Sequence, residues 1–357
     1  MEISFLNDLS AWEQFARPWN DLLARSATDV PFLRFEFLRA WWTTLGGGEW
    51  PDGELWVAVG RDQDGGLAAA APFFRTSARP GALLLIGTVE IADYLDIVAP
   101  APSVEPFAQA ILDALPRTGP PGVDTVDLWN FLETSPGGQA FAGAAAAAGW
   151  SVQRERLKPC PQIALTGGWD AYLQRLEKKQ RHELRRKMRR VEQTPGTAFV
   201  RAGDGLELTT AVEAFLGLMK LDTAKSRFLT PSMHAMFHSL ARDAAQDGWL
   251  QLELLTVGGR PAAGAFCFDY LDRLLVYNTG IDPAYQALSP GWALLGHLIQ
   301  SAAEDGKAAV DFMRGDEDYK LRLGGEARFI ERLTLRRGSS ETASSNSPTP
   351  YPPPIER

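Results

Sequence analysis

Hydrophobic positions along this chain alternate between two spacings, one near 3.6 residues and one of two residues. Over residues 11–26 the apolar stripe Trp12, Phe15, Trp19, Leu22 and Leu23 predicts a helix. A second helix is predicted over Phe35–Leu45, closed by Gly46-Gly47-Gly48. Leu55–Gly60 and Leu67–Phe74 read as a hairpin pair joined through Asp62–Gly66. Leu83–Ile86 and Thr125–Leu128 read as buried strands, Phe107–Leu115 and Gln139–Ala148 as helices. Gly149 ends the latter, and Trp150–Arg154 starts another strand.

The second half repeats this order. It opens with a strongly basic helix, Trp169–Gln193, and continues with helices at Leu206–Leu221 and Ser232–Gln246. Strands follow at Leu250–Val257, Ala262–Tyr270 and Arg273–Gly280, then helix Ser289–Glu304 and strands Ala308–Phe312 and Phe329–Arg336. The alternation predicts an α/β fold with mixed, mostly antiparallel sheets flanked by helices. The weaker copy of the same order in the first half suggests an internal duplication. The boundaries expected are 1–165, 166–338 and a Ser/Pro-rich tail, 339–357, too poor in apolar residues to order itself.

Composition narrows this further. The chain has 357 residues, which at roughly 150 residues per domain fits two domains. A net charge of −8 argues against coating DNA or RNA. The two cysteines, Cys160 and Cys267, give no disulfide framework or zinc knuckle, and the N-terminal residues lack a basic and then apolar leader, so the cytoplasm is the expected location. No run of about 18 apolar residues is present to span a membrane. His234 and His238 lack the Glu of a zincin pair, and no metal site is expected.

Four segments carry candidate chemistry. From Asn278 to Gly291 a strand ends, a turn follows and a helix starts. Ser289 suits the N-cap, Pro290 the first helical position, and Gly291 admits a ligand close to the backbone, so an anion such as a pyrophosphate fits there. An ordinary capped helix is the competing reading. In the second, a strand delivers Asp311 to its end, followed by Arg314, Gly315, Asp316, Tyr319 and Lys320. These are candidates for a general base and an oxyanion or phosphate partner, or for a charged loop held by its own ion pairs. In the third, Arg181, Arg185 and Arg189 share one face of the basic helix opposite Leu173, Leu176, Leu184, Met188 and Val191. That face is suited to a polyanion or is simply solvated. The fourth, Asp93-Tyr94-Leu95-Asp96, follows an apolar strand in the first half and could line a cleft.

At these residues the sequence resembles the GNAT acyltransferase superfamily, in the BioF2-like/CelD-type group related to the FemABX peptidoglycan aminoacyltransferases. The likeness rests on Phe32-Leu33 through Trp41-Trp42, Asp93-Tyr94-x-Asp96, Arg181-x-x-Leu184-Arg185-Arg186, Leu288-Ser289-Pro290-Gly291, and Asp311-Phe312-x-Arg314-Gly315-Asp316-x-x-Tyr319-Lys320. The resemblance implies two tandem GNAT-like domains, the first degenerate, and a donor loop at Gln286, Leu288, Ser289, Pro290 and Gly291, where Ser289 stands in place of the family's middle glycine. It implies acetyl-CoA or another acyl-CoA as co-substrate, with no tightly bound cofactor. The acceptor would be a small molecule such as a sugar or amino-sugar, or a cell-envelope precursor, gripped by Asp93, Tyr94, Asp96, Tyr277, Arg181 and Arg185. Asp311, Arg314, Asp316, Tyr319 and Lys320 would then border a cleft between the two domains and assist transfer. An aminoacyl-tRNA donor of the FemABX type is the alternative, and a non-catalytic scaffold in polysaccharide assembly is a third reading.

Overall fold

The structure, a computed structural model, describes residues 1–338 apart from Gly205; the Ser/Pro-rich tail expected over 339–357 lies outside the described residues. The chain divides into two units. Among the described residues, the first is Met1–Leu157 with 329–338, and the second is Lys158–Arg328.

Unit 1 contains β1 (Glu2–Leu6), α1 (Leu9–Glu13), α2 (Ala16–Leu23), α3 (Phe35–Thr43), β2 (Glu54–Leu55), β3 (Val57–Arg61), β4 (Leu67–Ala71), β5 (Phe73–Arg75), β6 (Ala82–Leu85), α4 (Ala101–Thr118), β7 (Thr125–Leu132), α5 (Pro136–Ala147) and the start of β8 (Ser151–Ala164). The helix expected over 11–26 is two short helices that meet at Gln14–Phe15, and together they bury Trp12, Trp19, Leu22 and Leu23. Trp12, Trp19 and Phe35 pack edge to face, with ring centroids 5.0–6.4 Å apart. The expected hairpin forms as β3–β4 and β2–β5, but in separate sheets, ordered β1-β3-β4 and β2-β5-β6-β7. Pro72 lies between β4 and β5; it has no N–H to extend the ladder, and the sheet breaks there. β6 runs parallel to β7 across the crossover helix α4.

Unit 2 contains the end of β8, then α6 (Gly168–Arg175), α7 (Lys178–Glu192), β9 (Thr197–Arg201), α8 (Leu208–Lys220), α9 (Thr223–Phe228), α10 (Pro231–Gln246), β10 (Leu250–Val257), β11 (Arg260–Tyr270), β12 (Arg273–Ile281), α11 (Pro290–Glu304), β13 (Ala309–Asp311) and α12 (Asp318–Arg322). Its strands follow the order β8-β13-β12-β11-β10-β9. Leu184, Val191, Leu255, Ala265, Val276, Leu294 and Leu298 form the core on the α7–α11 side. Phe215, Phe237, Phe266, Phe268 and Tyr277 stack into an aromatic cluster that includes side chains of α8 and α10.

Two expectations are corrected here. The basic helix is not continuous: Leu176 and Glu177 are extended, with Leu176 buried in the core, so α6 and α7 are separate. No proline or glycine marks that break; burial of Leu176 takes precedence over helical propensity. The final strand, β14 (Glu326–Arg336), pairs from Ile330 to Arg336 with β7 and so belongs mainly to unit 1. Helix α9, between the expected helices, lacked a long apolar stripe to predict it.

The duplicated order is visible strand by strand. The sequence β1-β3-β4/β5-β6-β7-β14 in unit 1 parallels β9-β10-β11-β12-β13-β8 in unit 2, each with one parallel pair joined through a helix.

Candidate functional site

The site grows from one irregularity in unit 2. β12 pairs parallel with β13 at only three positions, Arg273↔Ala309, Leu274↔Val310 and Leu275↔Asp311. On its other side β12 carries a bulge, where Tyr277 is the extra residue between Val276↔Cys267 and Asn278↔Phe266. A bulge bends and overtwists its strand. Beyond Leu275, β12 runs on to Ile281 with no strand partner on the β13 side among the described residues. Lys225 of α9 donates to the Thr279 carbonyl at 2.6 Å.

The 3-10 helix Pro283–Leu288 then leads through Ser289 into α11. Asp282 caps that turn by accepting from the Ala284 N–H at 2.9 Å. Ser289 holds the N-cap position of α11, but not as a side-chain cap: its backbone is left-handed (φ 53°, ψ 52°) and no side-chain cap bond forms. A left-handed residue reverses the chain sharply enough to join two helical segments, which is a role a non-glycine residue takes at some cost. Gly291 is needed for close approach, since a Cβ there would lie 2.5 Å from Ile281 Cδ1.

A cavity of about 530 Å³ opens at this junction. Gln286, Ser289, Pro290 and Gly291 line it, with Thr279, Gly280 and Ile281 of β12, Ala263 and Gly264 of β11, Leu221 and Asp222 beyond α8, Lys187 of α7, Trp292, and Tyr319 of α12. Leu288 is not on the wall; it packs against the core beneath. The volume is that of a small-molecule site.

Of the other expected residues, Tyr319 alone reaches this cavity. It is half-buried, packs edge to face with Phe312 (6.0 Å), and burial together with the Glu317 charge pushes its hydroxyl above the usual tyrosine range. Asp311 is fully buried and accepts the Met313 N–H at 2.8 Å, which shapes the turn after β13. Lys320 is also buried. Its ammonium donates to the Met313 and Arg314 carbonyls (3.3 and 2.7 Å) and pairs with Glu317 at 2.9 Å. Three partners match its three N–H donors, so it holds the loop together. Arg314 is half-buried, and Asp316 is exposed and paired with Lys158 at 3.2 Å. Tyr277 lies within the aromatic cluster, away from the cavity wall.

Asp93, Tyr94 and Asp96 are all buried inside unit 1. Asp96 accepts the Thr28 and Ser135 hydroxyls at 2.7 Å each and the Ile97 N–H at 2.8 Å. Burial raises its carboxyl to about 6 in spite of those bonds. The segment ties unit 1 together rather than lining a cleft of that unit.

Helix α7 contributes more than the sequence disclosed. Arg181 donates to the Leu173 carbonyl at 3.2 Å, whereas Arg185 and Arg189 are exposed and line a second cavity of about 450 Å³ with Trp169, His182, Met188, Glu192 and Gln300. Arg190 donates to the Ala287 carbonyl at 2.6 Å and so braces the segment that leads into α11. Lys187 was overlooked. It falls on the apolar stripe with Leu184, Met188 and Val191, and a cation on a buried stripe was the available signal.

Residues 178–321 match the family described as Acetyltransferase (GNAT) domain. The match falls within the second unit. Solved structures agree on the fold of the whole chain, GNAT domain included. FemX is 11% identical, covers 93% of this chain and 97% of its own, and has a TM-score of 0.65. A conserved protein of unknown function from Bacteroides thetaiotaomicron is 13% identical over 94% and 100% of the two chains, with a TM-score of 0.61. L-PGS from Bacillus licheniformis is 14% identical over 95% of each, with a TM-score of 0.57. No curated protein sequence matches the chain. Among the described residues there is no His/Cys/Asp/Glu group able to hold a metal and no helix long and apolar enough to cross a membrane.

Proposed function

We propose that the protein transfers an acyl group from an acyl-CoA to an amine or hydroxyl of a small-molecule acceptor, a sugar, amino-sugar or cell-envelope precursor. The observation that carries this reading is the cavity where β12 leaves β13 and meets the donor loop. An unpaired strand edge recognises amide groups by adding a strand-like partner, and a pantetheine arm has two amides to offer. The acceptor attacks the thioester carbonyl directly: the new C–N or C–O bond forms, the C–S bond breaks, and the thiolate leaves. Tyr319 is the proton donor we assign to that thiolate, because it lines the cavity and a tyrosine hydroxyl carries its proton at neutral pH. The proton lost by the acceptor passes to Asp222, a residue of the cavity wall whose carboxylate also caps α9 by accepting the Ala224 and Lys225 N–H groups at 3.0 Å.

Calorimetric titration with CoA tests the placement. Wild type is expected to bind, and Gly291→Val to lose binding while its melting temperature stays close to wild type, since the added side chain meets the tip of Ile281. Equal CoA affinity in the two proteins would refute it. An aminoacyl-tRNA donor is favoured instead by the exposed Arg185 and Arg189 and by the FemABX resemblance. Steeply salt-sensitive tRNA binding without CoA binding would select that reading.

A further inference from the structure

Lys187 presents a cation to the wall of a largely apolar cavity, and nothing in the acyl-transfer step above uses it. The residue is 9% exposed. Its ammonium lies 3.9 Å from the centroid of the Trp292 ring and 3.2 Å from Glu183. Glu183 is itself shared, because Arg186 pairs with it at 2.9 Å. A second cation approaches the same indole: the Arg322 guanidinium is 5.0 Å from the Trp292 centroid. Burial holds the Lys187 ammonium below the usual lysine range, Glu183 opposes that, and the charges of Arg322 and Arg186 add to it. Arg322 also pairs with Asp318 at 3.5 Å, so Lys187, Arg186 and Arg322 together face two carboxylates, Glu183 and Asp318, and one positive charge is left over, with Lys187 its member on the cavity wall. An anion placed there would relieve both the burial cost and the mutual repulsion.

We propose that Lys187 binds a phosphate of the acyl donor at the Trp292 wall of the cavity. The proposal rests on the acyl-transfer reading of this cavity and adds to it a contact supplied by α7, outside the donor loop. Lysine suits the task as a compact charge with three donors, of which Glu183 takes one.

The test is a calorimetric series of pantetheine, 4′-phosphopantetheine and CoA against wild type, Lys187→Met and Lys187→Arg, with melting temperatures recorded. Methionine is apolar and similar in length, so it should be accepted on a stripe already formed by Leu184, Met188 and Val191. Wild type is expected to bind the phosphorylated ligands more tightly than pantetheine. Lys187→Met should lose about ten- to a hundredfold of that preference, as expected for one charge-assisted hydrogen bond, with pantetheine affinity unchanged. Lys187→Arg should recover part of it. A gain at 4′-phosphopantetheine assigns the phosphate that CoA shares with acyl carriers, and a gain only at CoA assigns its further phosphates. If Lys187→Met keeps the full preference, or weakens pantetheine equally, the proposal is overturned while the donor site stands. If wild type binds none of the three, both fall together.

Discussion

The two units share one strand order and differ at one connection. In unit 2 the link from β12 to α11 is the short segment Asp282–Ser289, mostly at the surface, and a cavity remains beside it. In unit 1 the corresponding link, from β6 to α4, is the longer segment Ile86–Pro100. Ile86, Val89, Ile91, Tyr94, Leu95, Ile97 and Val98 of that link are each at most 5% exposed. The same topology is therefore filled by its own chain in one copy and open in the other. What separates a site from a scaffold here is the length and polarity of one loop, not the sheet.

The buried acids follow the same division. Asp96 of the unit 1 link is met by hydroxyls and backbone N–H groups, and burial outweighs them. Glu253 of β10 in unit 2 is 3% exposed, yet its carboxyl lies below the usual range. Burial alone would raise it; His297 at 2.7 Å, Gln251 at 3.1 Å and Arg201 at 3.5 Å together prevail. At these two buried acids the neutral donors around Asp96 do not offset burial, whereas the set around Glu253, which includes His297 and Arg201, does.

The sharpest test of the comparison is activity. Tyr319→Phe should lower the transfer rate by about 10²- to 10⁴-fold, as for loss of a general acid. Tyr94→Phe in the filled unit should leave the rate unchanged in a thiol-release assay. Equal losses in both would break the distinction between site and scaffold.

A second test uses pH. The folded Asp96 carboxyl titrates near 6 against 3.8 for the free group, so its favourable contribution is complete below about pH 4 and is lost as pH rises toward 6. The difference amounts to about 3 kcal/mol at 1.36 kcal/mol per pH unit. Urea melts between pH 4 and 7 should show this slope, and Asp96→Asn should flatten it. Glu253 has the opposite sign. Its contribution is present above the ordinary glutamate value of 4.5 and is lost as pH falls below it.

Removing that partner altogether, as Glu253→Ala, should cost about 1–3 kcal/mol. The figure stays modest because His297 and Arg201 are about one-third exposed and can turn to water. Chemical denaturation should show a lower midpoint with an unchanged slope. The smallest effect belongs to the exposed face of α7: Arg185→Ala with Arg189→Ala should change stability by less than about 0.5 kcal/mol. A larger loss would mean that these arginines support the fold.

The loop before α11 was legible as a cavity edge because its signals are local. Gln286, Ser289, Pro290 and Gly291 stand at a strand–turn–helix junction, and each lines the cavity. The polar cluster after β13 was legible only in part. Asp311, Tyr319 and Lys320 look alike as polar residues around a glycine turn, yet only Tyr319 faces the cavity while the other two hold the loop. Asp93 and Asp96 misled for the same reason, since a carboxylate after an apolar strand has the same spacing whether it faces a cleft or the core.

The sequence by itself determined the elements and their order, because periodicity, caps and turns are read over a few neighbouring residues. Helices α8, α10 and α11 and strands β10 to β12 lie within two residues of where the pattern put them. Tertiary structure decided everything that depends on partners distant in the chain. It broke the basic helix at Leu176 to bury that side chain, and it returned β14 to β7 across nearly 200 residues. It also set Lys187 over Trp292, two residues 105 positions apart that only the packing of α7 on α11 brings together. That packing depends on Gly296, where a Cβ would lie 2.7 Å from Met188 Sδ. Long-range contacts of this kind leave no periodic trace in the chain, since they depend on how two surfaces fit rather than on the spacing within either one.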